Sequence, residues 1–258
     1  MLDKLNQYRQ TLTAPLRQKA TQNQFRFEWV DNLKQLQDVQ RFRATQFSQQ
    51  FGMQFEDGLD QDLYDFGCEH AVLREKWTGE IVAYTRLQLF KGQDIGQSYS
   101  AQEFDIVPHL SHLPNVLELG RTCVHPQFRS GKALSMLWLN ITPKVLWSMR
   151  AKYLMGCVSI QLENNLARTY YTHRQIQQLA AHQTIDIGSK CAFEPVRPDF
   201  IFPQDERMPK LFRSYLEMNS KLSKQAFYDE KFKCLDYFVF LEVNKMATSF
   251  VMNKMVQR

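Results

Sequence analysis

Two apolar runs, joined by a long amphipathic stretch, constrain this chain more than any other feature. Val116–Val124 (VLELGRTCV) and Tyr153–Ile160 (YLMGCVSI) both read as buried strands. Between them, His125–Gly131 reads as a loop. A helix then begins near Lys132, with Ala133, Met136, Leu137, Asn140 and Ile141 on one face. Pro143 either kinks that helix or starts a new one capped by Thr142. Strand, loop, helix and strand in this order have the layout of a βαβ unit. The expected class is therefore α/β or α+β, with a central sheet.

The flanking segments extend that sheet. Asp31–Gln50 carries Leu33, Leu36, Val39 or Gln40, Phe42 and Phe47 at helical spacing and stops at Gly52. After an acidic loop come His70–Arg74 and Ile81–Phe90, which the turn 76–80 joins as an antiparallel hairpin. Residues 91–115 read as a loop with a short helix. Further on, the pattern predicts a helix near Asn165–Gln178, an irregular Pro-rich stretch over Arg197–Met208 and a helix over Pro209–Leu222. A strand over Cys234–Val243 and a last helix from Asn244 complete the chain. The expected organisation is one domain over residues 25–258 with a C-terminal lobe from about 195, preceded by an extension over 1–24. In that extension Leu2, Leu5, Tyr8 and Leu12 lie at helical spacing beside Lys4 and Arg9. Such a helix either packs on its own domain or touches a membrane surface.

Composition removes several alternatives. With 258 residues, 44% of them hydrophobic, the chain is neither disordered nor collagen-like. Five dispersed cysteines without a Cys-x-x-Cys pair exclude a disulfide framework and a zinc ribbon, and fit a reduced, cytoplasmic compartment. The sequence shows no run of signal-peptide or membrane-spanning character, so neither a secreted nor a membrane-spanning protein is expected. The net charge of +5 hides a segregation. Six acids (Glu56, Asp57, Asp60, Asp62, Asp65, Glu69) and no base lie between Ala44 and Leu73. Six bases (Arg121, Arg129, Lys132, Lys144, Arg150, Lys152) and no acid lie between Leu119 and Leu162. One block suits a cationic ligand and the other an anionic one. Without a zinc finger, RNP motif or Arg-rich run, nucleic acid is not the expected partner.

The loop Phe128-Arg129-Ser130-Gly131-Lys132-Ala133 sits between a strand and a helix. Glycine there lets backbone N–H groups turn toward an anion, and Arg129 and Lys132 add positive charge. It is neither a nucleotide phosphate loop nor a Rossmann turn. Val124-His-Pro-x-Phe128-Arg129-x-Gly131-x-Ala133 resembles the acyl-CoA loop of the GNAT N-acyltransferases. Over roughly Phe27–Met246 the chain also resembles the bacterial N-acyltransferases of ornithine lipid synthesis and their relatives, the N-acyl amino acid synthases. The matching blocks are Arg41-Phe-Arg43, Asp62-x-x-Asp65 with His70, Thr85-Arg86-Leu87, and Glu118-Leu-Gly-Arg121-x-Cys-Val124-His. They continue with Arg129-Ser-Gly131, Leu137-Trp138, Gly156-Cys157-x-Ser159, Pro209-x-Leu-x-x-x-Tyr215-Leu216, and Asp229-x-x-Phe232-x-x-x-Asp236. Acyl-homoserine-lactone synthases are similar over the N-terminal half.

The resemblance implies a GNAT fold, a mixed and mostly antiparallel sheet flanked by helices with a C-terminal extension. It also implies transfer of a fatty or 3-hydroxyfatty acyl group from acyl carrier protein, or acyl-CoA, to an amino-acid α-amine. The acceptor would be ornithine, lysine or a similar basic amino acid, and the product a lyso-aminolipid made without a metal or tightly bound cofactor. The enzyme would be cytoplasmic, with peripheral contact to the inner membrane. Such chemistry needs a base for the amine and donors for the developing oxyanion. Glu118, an acid in an apolar strand, is the candidate base or a structural partner of Arg121; a bulge at Gly120 would bring the two together. Asp62 and Asp65 are candidates for binding a cationic amino acid or shaping the cleft, and Arg43 and Arg86 for holding its carboxylate, or else for pairing with these acids and only organising the entrance. Thr122, Cys123, Val124, Arg129, Ser130, Gly131 and Lys132 are the candidates for holding the carrier's pantetheine. Two other readings stay open: acylation of a different amine, and a non-catalytic module that binds acyl carriers or lipids.

Overall fold

The computed structural model describes residues 24–162, 166–199 and 208–244. The amphipathic extension over 1–24, apart from Gln24, and the last helix beyond Asn244 lie outside those residues. The elements run β1 (Phe25–Trp29), α1 (Leu33–Phe51), β2 (Glu69–Glu75), β3 (Ile81–Phe90), α2 (Ser100–Glu103), α3 (Val107–Leu110) and β4 (Val116–Val124). They continue with α4 (Lys132–Pro143), β5 (Tyr153–Gln161), α5 (Leu166–Gln177), β6 (Thr184–Ile185), α6 (Lys210–Glu217), β7 (Lys221–Ser223), β8 (Phe227–Asp229) and β9 (Cys234–Glu242).

One mixed sheet contains the described strands in the order β1-β2-β3-β4-β5-β9-β7-β6, with β8 against β9. Pairing is antiparallel except at β4–β5 and β6–β7. The parallel β4–β5 pair follows from the crossover through α4, since parallel neighbours need a long connection. Side-chain alternation then sorts the core. Leu117 of β4, Leu154 of β5 and Leu241 of β9 face α4, where they pack with Ala133, Leu137 and Ile141. Val116, Met155, Phe238 and Phe240 face the opposite side, under Phe104 and Ile106. On that side α1 also packs, placing Val39, Phe47 and Phe51 against Tyr84, Cys123 and Phe232.

Local chemistry explains the ends. Asn32 caps α1 by accepting from Gln35 N at 2.9 Å, and Gly52 closes it with a left-handed φ of 69°. Pro143 ends α4 and the chain continues as a wide π turn over Lys144–Ser148. Thr142 caps no new helix; its hydroxyl donates back to the Trp138 carbonyl at 2.7 Å. The helix expected over Pro209–Leu222 is shorter, because Asn219 turns left-handed at φ 60° and Leu222 enters strand β7. β1 and the short strands β6, β7 and β8 carry too few residues for a period to show. None of the five cysteines is paired.

Candidate functional site

Strands β4 and β5 pair only where Val116–Glu118 meets Tyr153–Met155. Beyond that point β4 stays with β3 and β5 stays with β9, so the sheet splits into a wedge. Gly156 stands at the apex: a Cβ there would lie 2.5 Å from the Leu119 carbonyl oxygen, so no larger residue fits without separating the backbones. A cavity of about 160 Å³ opens in the wedge, bounded by Glu118–Thr122 of β4 and Cys157–Ser159 of β5.

The bulge foreseen at Gly120 is present, one residue on. Tyr84 pairs with Cys123 and Arg86 with Gly120, so Arg121 and Thr122 together face Thr85. Arg121 takes a left-handed φ of 51°, which costs a non-glycine residue about 1–3 kcal/mol. The inversion puts Arg121 on the same cavity as Glu118. The two do not pair. Arg121 Nη2 instead lies 3.2 Å from Asp62 Oδ2, and its guanidinium stacks 4.9 Å from the Tyr99 ring and 5.1 Å from Phe232.

Glu118 has other partners. Its Oε1 accepts from Ser100 N at 2.7 Å and Ser100 Oγ at 2.5 Å, and its Oε2 from Tyr99 N at 3.0 Å. Burial pushes its pKa up, against the downward pull of these donors and of Arg86. The structural pairing with Arg121 is thus replaced by a cap on α2. Three donors occupy three of the carboxylate's roughly four lone-pair sites. One remains for a ligand in the cavity.

Arg43, Asp60, Asp62, Asp65, Arg86 and Arg121 form a network beside it. Arg43, with no solvent exposure, reaches Asp60 Oδ2 at 2.9 Å and Asp65 Oδ1 at 2.7 Å, and also donates to the Asp60 carbonyl. Arg86 Nη1 contacts Asp62 Oδ1 at 2.5 Å and Asp65 Oδ1 at 2.9 Å. Although burial alone would raise it, the Arg43 guanidinium holds the Asp65 carboxyl well below its usual range. His70 closes the network in one tautomer. Its Nε2–H donates to the Asp65 carbonyl at 2.8 Å, and its Nδ1 accepts from Tyr84 Oη at 2.7 Å while Arg43 donates to that oxygen at 3.1 Å. Burial lowers the His70 pKa, which keeps the ring neutral.

Of the two expectations, the geometry matches the one in which Arg43 and Arg86 pair with these acids, and not an acidic block open to a cation. Asp60, Asp62 and Asp65 are matched by three arginines, and Glu69 lies 2.6 Å from Lys144 of the basic block. Among the arginines, Arg86 and Arg121 line the cavity, whereas Arg43 is enclosed behind it.

The residues expected to hold the carrier divide. Thr122 lines the cavity and shares a 2.8 Å hydrogen bond with Thr85. Cys123 is buried against α1, with its thiol pushed up to about 12 by burial, so it acts as core and not as a nucleophile. Val124 packs toward α4. Arg129 donates to the Val124 carbonyl at 3.0 Å, Gly131 caps α4 at φ 95°, and Ser130 and Lys132 are exposed beside them.

Sequence reasoning missed Asp60, Tyr99, Ser100 and Glu103. It also left Asp229 and Asp236, which line the cavity, without a role beyond capping. Asp236 in CLDYFVFLE carries the same signal as Glu118, an acid inside an apolar strand. Residues 99–103 carry no such pattern.

Residues 42–139 match the acetyltransferase (GNAT) domain family. The chain is similar to the L-ornithine Nα-acyltransferase of Rhodobacter capsulatus, 27% identical over 235 residues that span 83% of this chain and 88% of that protein. The L-ornithine Nα-acyltransferase of Brucella abortus is 24% identical over 245 residues, 84% of this chain and 83% of that protein. Among solved structures, FeeM, an N-acyl amino acid synthase from uncultured soil microbes, superposes with a TM-score of 0.47 at 9% identity, covering 87% of this chain and 94% of its own.

Proposed function

We propose that this chain, an acyltransferase of GNAT fold, moves a fatty or 3-hydroxyfatty acyl group from the phosphopantetheine thioester of an acyl carrier protein to the α-amine of ornithine or a similar basic amino acid. The product is a lyso-aminolipid. The observation that carries this reading is Glu118, a buried carboxylate with one free lone-pair site, standing where β4 leaves β5. The likeness to ornithine Nα-acyltransferases over most of both chains supplies the substrate class.

The chemistry follows from the wedge. From Leu119 onward β4 has no strand partner on its β5 side, so an extended pantetheine arm can lie there as an added strand. The α-amine, as free base, attacks the thioester carbonyl; the C–N bond forms, and the amine proton passes to Glu118. Backbone N–H groups near the bulge stabilise the oxyanion, each contributing a few kcal/mol. The C–S bond then breaks, and the proton passes from Glu118 to the departing thiolate. Arg86 and Arg121 line the cavity, and beyond their pairs with Asp60, Asp62 and Asp65 each guanidinium has further N–H donors that suit the amino-acid carboxylate.

An apolar pocket of about 70 Å³ lies on the other face of the sheet, between α4 and the end of α6. Leu119 and Tyr215 line both it and the wedge cavity. That continuity suits an acyl chain leaving the thioester through the split between β4 and β5. The exposed Arg129 and Lys132 suit an acidic carrier protein. The reading puts the enzyme in the cytoplasm with its carrier, in peripheral contact with the membrane that takes the lipid. Among the described residues no helix is long and apolar enough to cross a membrane.

The test is to offer purified protein a panel of acyl carrier thioesters, acyl-CoAs and amino acids. N-acylornithine formation is the expected outcome. Acylation of another amine alone would transfer the reading to a different N-acyl amino acid synthase. Tight binding of acyl carrier without turnover would favour a non-catalytic module.

A further inference from the structure

The reaction above leaves one part of the cavity unused. Asp236 of β9 and Asp229 at the end of β8 line it, and Glu103 of α2 lies against Cys157 and Tyr99, which also line it. All three are buried, at 4%, 8% and 3% exposure. Asp229 Oδ1 accepts from Phe232 N at 2.9 Å, and Cys234 Sγ lies 3.5 Å from Asp236 Oδ1. Neither carboxylate oxygen of Glu103 receives a hydrogen bond of good geometry. No lysine, arginine or histidine forms an ion pair with any of the three among the described residues. Among the described residues the guanidinium near Asp236 is that of Arg121, already engaged by Asp60 and Asp62.

Buried carboxylates this close together, none of them ion-paired among the described residues, oppose the ionisation of Asp236 and Glu103. Burial and the neighbouring carboxylates push Asp236 and Glu103 up together. A cation entering the pocket would remove that opposition, so the site is built for a positively charged group. It must be small, because the cavity measures only about 160 Å³.

Register supplies the rest. Asp236 pairs with Ser159 of β5, and alternation puts both on the face that carries Cys157 and Glu118. From β4 to β9 is two strand spacings, roughly 10 Å, and Asp236, level with Ser159, lies four residues, roughly 13 Å, along the strand from Met155, the partner of Glu118. With both side chains turned into one cavity, that is too far for one ammonium to reach both acids, and it suits one small molecule with two nitrogens.

We propose that Asp236, together with Asp229, holds the side-chain ammonium of the acceptor amino acid while its α-amine faces Glu118, with Glu103 adding negative charge from behind Tyr99 and Cys157, so that these acids select a diamino acid. This rests on the N-acyltransfer reading and adds the residues that define its acceptor. Cys234 Sγ and the two aspartates could in principle surround a metal ion, their ligand atoms lying within 4.8 Å of one another. Burial and the adjoining carboxylates push the Cys234 thiol far up, however, so it is a poor source of thiolate.

The experiment compares ornithine with norvaline, the same carbon chain without the second amine, using one acyl donor. Wild-type protein is expected to favour ornithine by about 100-fold or more in kcat/KM, because a buried site built for a charged donor rejects an analogue lacking it. Asp236→Asn should collapse that ratio to within about threefold, chiefly by raising KM for ornithine. Glu103→Gln should lower the ratio in the same direction by about tenfold, and it keeps the test available if Asp236→Asn does not fold. A wild-type ratio near one, or variants that lower both substrates together, would overturn the assignment while leaving N-acyltransfer intact. Wild-type protein that acylates no amino acid contradicts the acyltransfer reading itself. Dialysis against EDTA should change nothing; lost ornithine preference, restored by zinc or magnesium, would replace the ammonium with a metal.

Discussion

Asp60, Asp62 and Asp65 differ from Glu103, Asp229 and Asp236 in what they face. The first three meet Arg43, Arg86 and Arg121, and the geometry is multidentate and closed. The second three meet one another and a thiol, and two of them, Asp229 and Asp236, meet a cavity. Counting charge along the chain cannot separate them, since both are simply acids. The paired set is internal scaffolding, and the unpaired set, with Asp236 and Glu103 pushed toward the neutral form by burial, is left for a cation that arrives.

Breaking the paired set should produce the largest change. Arg43→Met removes the fully buried guanidinium shared by Asp60 and Asp65 and leaves them only Arg121 and Arg86, which costs about 3–5 kcal/mol. Thermal melting should fall by roughly 10 °C. An unchanged melting temperature would mean the network is no scaffold. Next comes Glu118→Gln, which should lower turnover by about 10²–10⁴-fold. Circular dichroism should show a fold close to wild type, because the amide still accepts from Ser100. Equal turnover would reduce Glu118 to a cap on α2.

Smaller effects separate the two sets by pH. The folded-state pKa of Asp65 is depressed, so its contribution is present above the unfolded carboxylate value of about 3.9 and is lost as pH falls below it. Glu103 is raised, so its contribution is present below the unfolded value of about 4.3 and is lost as pH rises through the folded value. Glu103→Gln should therefore melt a few degrees higher than wild type at pH 8 and close to it at pH 4. A lower melting temperature at pH 8 would show that Glu103 has a structural cation after all. Smallest is the surface pair. Arg129→Glu with Lys132→Glu should raise KM for acyl carrier protein several-fold, with kcat retained and a weaker salt dependence. Unchanged kinetics would remove the carrier from that loop.

The elements around β4 could be read because their signals are local. An apolar run, a glycine suited to a bulge and a helix start all lie between Val116 and Lys132. The bulge itself was legible at Gly120, though the left-handed backbone falls on Arg121, where ion pairs and two rings hold it. Glu118 stood out as an acid among leucines. Its partners did not, because Tyr99 and Ser100 lie in a stretch without periodicity. Asp236 reaches the same cavity only through pairing across β4, β5 and β9, contacts between distant parts of the chain that no local pattern reports. The acidic block misled for the same reason. Its arginines come from α1, β3 and β4, so neutralisation appears only after folding.

The most direct measurement of the central claim is mass spectrometry of a single reaction: purified protein, a 3-hydroxyacyl thioester of acyl carrier protein, and ornithine. The account predicts N-acylornithine, with the amide on the α-nitrogen and an equal amount of free carrier thiol. Intact thioester beside unmodified ornithine, with acyl-CoA donors equally inert, would contradict it.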